Sequence, residues 1–386
     1  MNKSKRFLMI FVFILFLSGL PVYAELLSSK TYGYSIDLPE GFVLTNSTRD
    51  GKSYQFENLL YPVQVIIKVY DKREFVSVQN AMEKTMQRIS ANYETADITW
   101  RNSDCTLSQF EMTLENVIYS GWGVCVALPE DKGYFTMLSY SASKEYEPVI
   151  LSAVDSIFID NGSFFETGPV TAFAFPLTQE KNVQLKIDDV IVNTVLDEDD
   201  IAANEFVIER EFKVLCLYVE SDLGISAWKR YYRQIYRDAF GRLKRPAFDI
   251  YAALSSFASE SDKNINVFLA EKLLSWTQGF KYDRNFSKSD ISSIPGVLSG
   301  ELSSDCDSRS LLLAILLHQM NMDTVLFVSS VYSHAMLGVD LNLAGAKINV
   351  NGKDYLLGET TAQVPIGRVA QEMSVTENWI PVTFPR

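Results

Sequence analysis

The sequence contains Ser303-Ser304-Asp305-Cys306-Asp307-Ser308-Arg309-Ser310, and the apolar run Leu311-Leu312-Leu313-Ala314-Ile315-Leu316-Leu317 follows it directly. Asp305 is a residue type that caps helix N-termini, so the pattern predicts a helix that runs to about Met320. The run is apolar on every side, which is typical of a helix buried in a core. Cys306 therefore lies on the first turn of a buried, rigid element.

The first-turn position of Cys306 predicts a nucleophile. Unpaired N–H groups and the positive end of the helix dipole face a thiol there, which favours the thiolate and predicts a lowered thiol pKa. A free cysteine is otherwise often only a small buried hydrophobe. The case for catalysis therefore depends on partner residues.

The chain has two histidines, and one of them suits the thiol. His318 is twelve residues further along the same predicted helix, about 18 Å away, so it is excluded as the base. His334 opens a predicted strand at 334–340, which follows a turn and a first predicted strand at 324–328. Two antiparallel strands packed on the helix would bring His334 to Cys306.

Two carboxylates compete to orient the histidine. Asp354 and Glu359 are five residues apart on a third predicted strand, so side-chain alternation points them to opposite faces. Asp354 follows Asn351-Gly352-Lys353, a hairpin signal that places it at the exposed strand start. Glu359 lies deeper, and we predict that it accepts the imidazole N–H of His334.

Residues 260–365, with Cys, His-Ala and an acidic residue before Thr in this order, resemble the transglutaminase-like superfamily of papain-type thiol enzymes. The resemblance implies Cys306 as nucleophile, His334 as general base and acid, and Glu359 as orienting carboxylate. It implies cleavage or transfer of amide bonds in a protein or peptide substrate, with no metal and no cofactor. Met336 replaces a usual aromatic residue and Glu359 a usual Asp, which supports the alternative of a non-catalytic envelope scaffold with the same fold.

The N-terminus has the pattern of a secretory signal. A basic stretch at 2–6, an apolar core at 7–17 and Val22-Tyr23-Ala24 predict a signal peptide over 1–24, and hence a periplasmic or secreted protein. No later run is long enough for a transmembrane helix. Without the three leader cations the formal charge falls from −13 to −16. An acidic chain of this kind is not expected to bind nucleic acid.

The patterns predict a multidomain α+β protein. Residues 25–160 are expected to form an antiparallel-sheet α+β domain with a weak resemblance to the PsbP-like fold, which implies a binding or positioning role. Its predicted strands and helices are 34–42, 63–70, helix 77–93, 98–100, 107–114, 119–128, 134–140 and helix 144–156. Cys105 and Cys125 fall on neighbouring strands, which predicts a disulfide between them, although four cysteines allow three pairings.

The middle of the chain, 161–222, is predicted to hold a linker at 161–168 and a β-rich segment. Its expected strands are 171–175, 183–185, 190–195 and 205–219, the last carrying Cys216 as a buried thiol. The acidic run 197–200 lacks the spacing of a calcium loop and is interpreted as a solvated turn.

A transglutaminase-like domain is expected over 223–386. It opens with a basic aromatic helix near 228–245, whose seven cations either contact an anionic envelope polymer or pair with acidic side chains of the protein. A helix at 266–280 and a polar loop at 282–300 follow. We expect this loop to form one wall of a substrate cleft.

Overall fold

The computed structural model describes residues 26–160, 162–258, 264–284, 289 and 291–384. The predicted signal peptide lies outside these residues. The described chain is a mixed α+β protein with several sheets. None of its described helices is long and apolar enough to cross a membrane.

The N-terminal region is built on an antiparallel sheet of seven strands in the order β3-β4-β5-β9-β8-β7-β6. Its elements are β1 (Leu27–Ser29), β2 (Tyr34–Ile36), β3 (Phe42–Ser47), β4 (Ser53–Asn58), β5 (Val63–Tyr70), α1 (Val78–Arg88), β6 (Asn92–Trp100), β7 (Ser103–Leu114), β8 (Val117–Ala127), β9 (Tyr134–Ser141), α2 (Glu147–Asp155) and β10 (Ile157–Phe158). Helices α1 and α2 cover opposite faces, so β9 is buried at every position. The helix predicted at 77–93 ends at Arg88, and strands β3 and β4 were not predicted.

The predicted Cys105–Cys125 disulfide is absent, and both thiols are free and buried. In the pairing of β7 with β8, Cys105 lies opposite Val126, and Cys125 lies opposite Thr106. Because side chains alternate along a strand, this register points the two cysteines to opposite faces of the sheet. Cys105 packs on the α2 side and Cys125 on the α1 side.

The middle of the chain is more helical than predicted. Its elements are α3 (Pro169–Ala174), β11 (Glu180–Ile187), β12 (Val190–Asp197) and α4 (Asp200–Tyr218). The β11–β12 hairpin matches two predicted strands, whereas the strands predicted at 171–175 and 205–219 are wrong. Residues 205–219 are rich in β-formers, but burial of Val207, Glu211, Val214 and Tyr218 follows the helical period.

Two further predictions for this region are corrected. Cys216 is exposed on α4 rather than buried in a central strand. The acidic run 197–200 is not simply a solvated turn, because Asp200 is buried and its carboxylate pairs with Arg242 at 2.8 Å.

The C-terminal region surrounds one buried helix. Its elements are α5 (Gly224–Arg242), α6 (Lys244–Ala258), α7 (Ile265–Gln278), α8 (Ile294–Ser299), α9 (Cys306–Gln319), β13 (Thr324–Ser329), β14 (His334–Val339), β15 (Lys347–Val350), β16 (Lys353–Gly358) and β17 (Ile380–Thr383). The five strands form an antiparallel sheet in the order β15-β16-β14-β13-β17. Helix α9 packs on β13 and β14 and against α7 and α8, and residues 311–317 have no exposed surface. The buried helix and its strands match the prediction, while α8 occupies part of the predicted loop 282–300.

Five of the seven cations of the predicted basic helix pair with carboxylates of the protein, namely Arg230, Arg233, Arg242, Lys244 and Arg245. Arg233 forms two bonds of 2.9 and 3.0 Å with the carboxylate of Asp37. Arg230 bonds Glu211 at 2.7 Å, and Arg242 bonds Asp238 and Asp200 at 2.8 Å each. These contacts support the second interpretation of the helix, since its arginines join α5 to α4 and to the N-terminal region.

Candidate active site

Cys306 is the first residue of α9, as its sequence context predicts. The carboxylate of Asp305 accepts the Ser308 N–H at 2.7 Å, and the Ser308 hydroxyl accepts the Asp305 N–H at 3.0 Å. This reciprocal pair is a capping box, which fixes where the helix begins. The helix start therefore holds the thiol in one place.

The surroundings of the thiol differ from the prediction. Cys306 is only 1% exposed, and its Sγ–H donates to Oδ2 of Asp307 at 3.2 Å. Burial raises the pKa of Cys306, and the carboxylates of Asp307 and Asp305 raise it further. The backbone N–H of Ala335, which donates to the sulfur, acts in the opposite direction. The predicted lowering of the thiol pKa is therefore wrong for this conformation.

The reason lies in groups that a helix start does not reveal. A helix dipole stabilises an anion by a modest amount, and desolvation of a buried thiolate costs more. The two acidic neighbours add like-charge repulsion, and the cap carboxylate of Asp305 already occupies part of the helix N-terminus. These surroundings favour the neutral form of the thiol.

His334 and Glu359 form the pair that the sequence predicts. Nε2 of His334 lies 2.8 Å from Oε2 of Glu359, and Oε1 accepts the N–H and O–H of Thr361 at 2.7 and 2.6 Å. Burial opposes ionisation of Glu359, but the bonds from His334 and Thr361 outweigh it and hold its pKa below the usual range. An ionised Glu359 accepts the Nε2 proton, which leaves Nδ1 as the basic ring nitrogen.

The structure brings all three predicted residues to one region. His334 begins β14, and the next residue, Ala335, contacts the sulfur of Cys306 through its N–H. Within the residues that the structure describes, the thiol donates its hydrogen bond to Asp307, and no hydrogen bond joins the thiol to the imidazole. Cys306 therefore lies beside the His334–Glu359 pair, with its thiol turned to Asp307.

The other two candidates lie elsewhere. His318 is near the end of α9, where its Nδ1 bonds the hydroxyl of Tyr236 and its ring packs against Phe165 and Phe240. Asp354 is exposed on the β15–β16 hairpin and accepts from the side chain of Asn349 at 2.6 Å. Neither contacts His334, in agreement with the sequence argument.

Arg309 organises the site and was not predicted. It is 2% exposed, and its guanidinium donates to Ser304 Oγ at 2.8 Å, to the carbonyl of Thr360 at 3.0 Å and to the carbonyl of Phe280. It also lies 5.2 Å from the ring centre of Tyr282. One side chain therefore ties together the segments before Cys306 and after Glu359. The signal was an arginine at the start of a buried helix, which needs several acceptors.

Comparisons with known proteins do not assign the chain to a family. No protein-family model matches the chain, and no significant match is found among curated proteins. A crystal structure at 1.50 Å from Bacteroides thetaiotaomicron VPI-5482 shares 8% sequence identity, with 87% of each chain covered and a TM-score of 0.25. So low a TM-score supports no inference about fold or function.

Proposed function

We propose that the protein is an exported thiol enzyme, similar to the transglutaminase-like superfamily, that cleaves or transfers amide bonds of proteins or peptides. The observation that carries this proposal is the 2.8 Å bond between His334 Nε2 and Glu359 beside a cysteine at a helix N-terminus. A structural histidine needs no ionised carboxylate on one nitrogen and a buried thiol next to it. A nucleophile with its base and an orienting acid needs both.

The proposed chemistry gives one role to each of the three side chains. Nδ1 of His334 takes the Cys306 proton, the sulfur attacks an amide carbonyl, and the imidazolium then protonates the leaving amine. Glu359 holds the ring in the tautomer with a free Nδ1 and stabilises the imidazolium. The backbone N–H of Cys306 is one donor to the oxyanion.

The product of the acyl-transfer step is a thioester on Cys306. Water resolves it in a peptidase or amidase, and an amine resolves it in a transamidase. In an aqueous envelope compartment, hydrolysis is the simpler outcome. The reaction uses no metal or organic cofactor.

The N-terminal region is proposed to bind or position the substrate. It contains a groove of about 390 Å³ between the sheet and α2. The floor of the groove carries side chains of Glu94, Gln109, Glu111 and Trp122, and the wall includes Glu147. Such a mixture of aromatic and polar groups suits a peptide segment better than an apolar ligand.

The proposal is tested by activity profiling on peptide, isopeptide and cell-wall peptide libraries. Wild type and Cys306→Ala are compared, with Cys216→Ala as a matched control that removes an exposed thiol. We expect cleavage or transfer by wild type and by the control, and none by Cys306→Ala. The proposal is contradicted if wild type and Cys306→Ala have equal activity while circular dichroism shows that both are folded.

The second candidate function is a non-catalytic envelope scaffold. The 1% exposure of Cys306 and its raised thiol pKa favour this alternative. Labelling with iodoacetamide in the native protein distinguishes the two functions. A scaffold leaves Cys306 unlabelled and the libraries uncleaved under all conditions, whereas an enzyme labels at Cys306 when substrate-like peptides open the site.

A further inference from the structure

A buried chain of three side chains connects α5 to the thiol. The hydroxyl of Tyr232 donates to Oδ1 of Asp307, and the Sγ–H of Cys306 donates to Oδ2 of the same carboxylate at 3.2 Å. Tyr232 is 3% exposed, Asp307 8% and Cys306 1%. Both oxygens of Asp307 thus accept hydrogen bonds, and one of them accepts the bond from the thiol.

This arrangement disfavours the reactive form of the cysteine. An S–H to carboxylate bond is lost when the thiol ionises, and two anions then face each other in a site from which water is largely excluded. While the S–H group donates to Asp307, it cannot donate to Nδ1 of His334 or pass its proton there. Tyr232, on a different helix, donates to the other oxygen of the same carboxylate.

We propose that Asp307 is a positioning residue that keeps Cys306 as a neutral resting thiol, and that the thiol becomes a nucleophile when it turns from Asp307 to Nδ1 of His334. The second half rests on the proposed function, whereas the first half concerns the thiol alone. In the turn, the proton passes from Sγ to Nδ1, and no other group is needed to balance the step. Binding of substrate beside Cys306 is the event that would break the Asp307 contact.

Several other groups face the thiol and stay constant in the test below. They are Asp305, the N-cap residue of α9, Arg309 on α9 and Tyr282 on the preceding segment. His334 precedes Ala335, whose N–H donates to the sulfur, and carries its bond to Glu359. Any change of thiol reactivity on altering Asp307 or Tyr232 is measured against this fixed background.

The experiment compares wild type with Asp307→Asn and Tyr232→Phe. Asparagine keeps the shape and an acceptor for Tyr232 but removes the charge, so we expect iodoacetamide to alkylate Cys306 at least about tenfold faster. Phenylalanine removes a donor to Asp307 and leaves its carboxylate a stronger acceptor for the thiol, so we expect no acceleration. A pH titration of thiolate ultraviolet absorbance, with Cys306→Ser subtracted, gives the same ranking without depending on reagent access.

The outcomes separate the inference from its alternatives. Equal acceleration in both variants means that loosened packing exposes the thiol, and it overturns the role of Asp307. No acceleration in folded Asp307→Asn also overturns it; should that variant fail to fold by circular dichroism, Asp307→Ser is measured with the same criterion.

Library cleavage tests the proposed function separately. Faster alkylation of Asp307→Asn, with no substrate cleaved by any variant, supports the role of Asp307 and contradicts the proposed enzymatic function. Cleavage by wild type without faster alkylation of Asp307→Asn supports the enzyme and contradicts the role of Asp307.

Discussion

Two buried charged regions of this protein have opposite electrostatic design. Around α5, Asp37 lies against Arg233 and Gln234, and Asp155 bonds Arg210 at 2.8 Å. Burial opposes ionisation of these aspartates, yet the arginines outweigh it and hold the pKa of each below its usual range. At the start of α9, burial and carboxylate neighbours act together and raise the pKa of Cys306.

The difference shows that burial alone does not decide whether a group ionises. The sign of the nearest charge decides it: guanidinium groups surround the first region, and carboxylates flank the thiol of the second. The first region is a structural lock between chain segments. The second favours the neutral form of the Cys306 thiol.

The largest expected effect is on the thiol side of the comparison. In Glu359→Gln the imidazole loses its ionised acceptor, so we expect kcat/KM on a library substrate to fall by about 10³-fold or more with the fold intact. Asp354→Asn, a carboxylate change on the same strand, is the control and should leave the activity nearly unchanged. A greater loss in the Asp354 variant would transfer the orienting role to that residue.

The second prediction removes a carboxylate from the buried ion pairs around α5. Asp37→Ala leaves Arg233 and Arg230 buried without this carboxylate, and removal of one partner from a buried ion pair costs about 3–5 kcal/mol in unfolding free energy. Denaturation in urea measures the loss. Asp71→Ala, which breaks an exposed pair with Lys52, is the matched control and should lose far less. Similar losses in both variants would mean that the buried network contributes no more than a surface pair.

A third effect uses pH to weaken the same region. The pKa values of Asp37 and Asp155 are lower in the folded state than the unfolded value of about 3.9. Their contribution is therefore complete above that value and is lost as the pH falls through the folded-state pKa values. We expect urea midpoints to fall steeply below about pH 4, and less steeply in Asp37→Asn. An equal slope in the two proteins contradicts this assignment.

The smallest effect concerns cross-links. Cys105 and Cys125 point to opposite faces of the sheet, and all four cysteines are free thiols, so no disulfide joins any part of the described chain. We expect dithiothreitol to leave the melting temperature unchanged. Mass spectrometry after alkylation in denaturant should show all four cysteines modified without prior reduction.

The sequence was sufficient for elements whose pattern admits one interpretation. The run 311–317 is too long and too uniformly apolar for a strand, and the three short runs after it are bounded by turn residues. Residues 205–219 combine β-formers with a helical period, and packing against α5 and α2 makes that segment a helix. Alternation showed that only one of Asp354 and Glu359 can face His334, and the hairpin signal before Asp354 favoured Glu359; both are local rules.

The parts that could not be predicted depend on long-range contacts. Arg309 has its role because segments at 280 and 360 present carbonyl groups to it. The pKa of Cys306 depends on burial under the sheet and on the rotamer of Asp307, neither of which follows from a helix start. Sequence pattern therefore predicted the positions of Cys306, His334 and Glu359 but not the surroundings of the thiol.

The pairing of Asp37 with Arg233 has a consequence for biosynthesis. The two residues are 196 positions apart in the chain, so the N-terminal sheet leaves the ribosome long before its guanidinium partner exists. The sheet is complete at Ser141, 92 residues before Arg233, so at about 5–20 residues per second it waits about 5–20 s for this partner. During that interval a folded N-terminal sheet would bury Asp37 without its counterion, which favours a loose nascent state. Completion of α5 is then the step that commits the first half of the chain to its final packing.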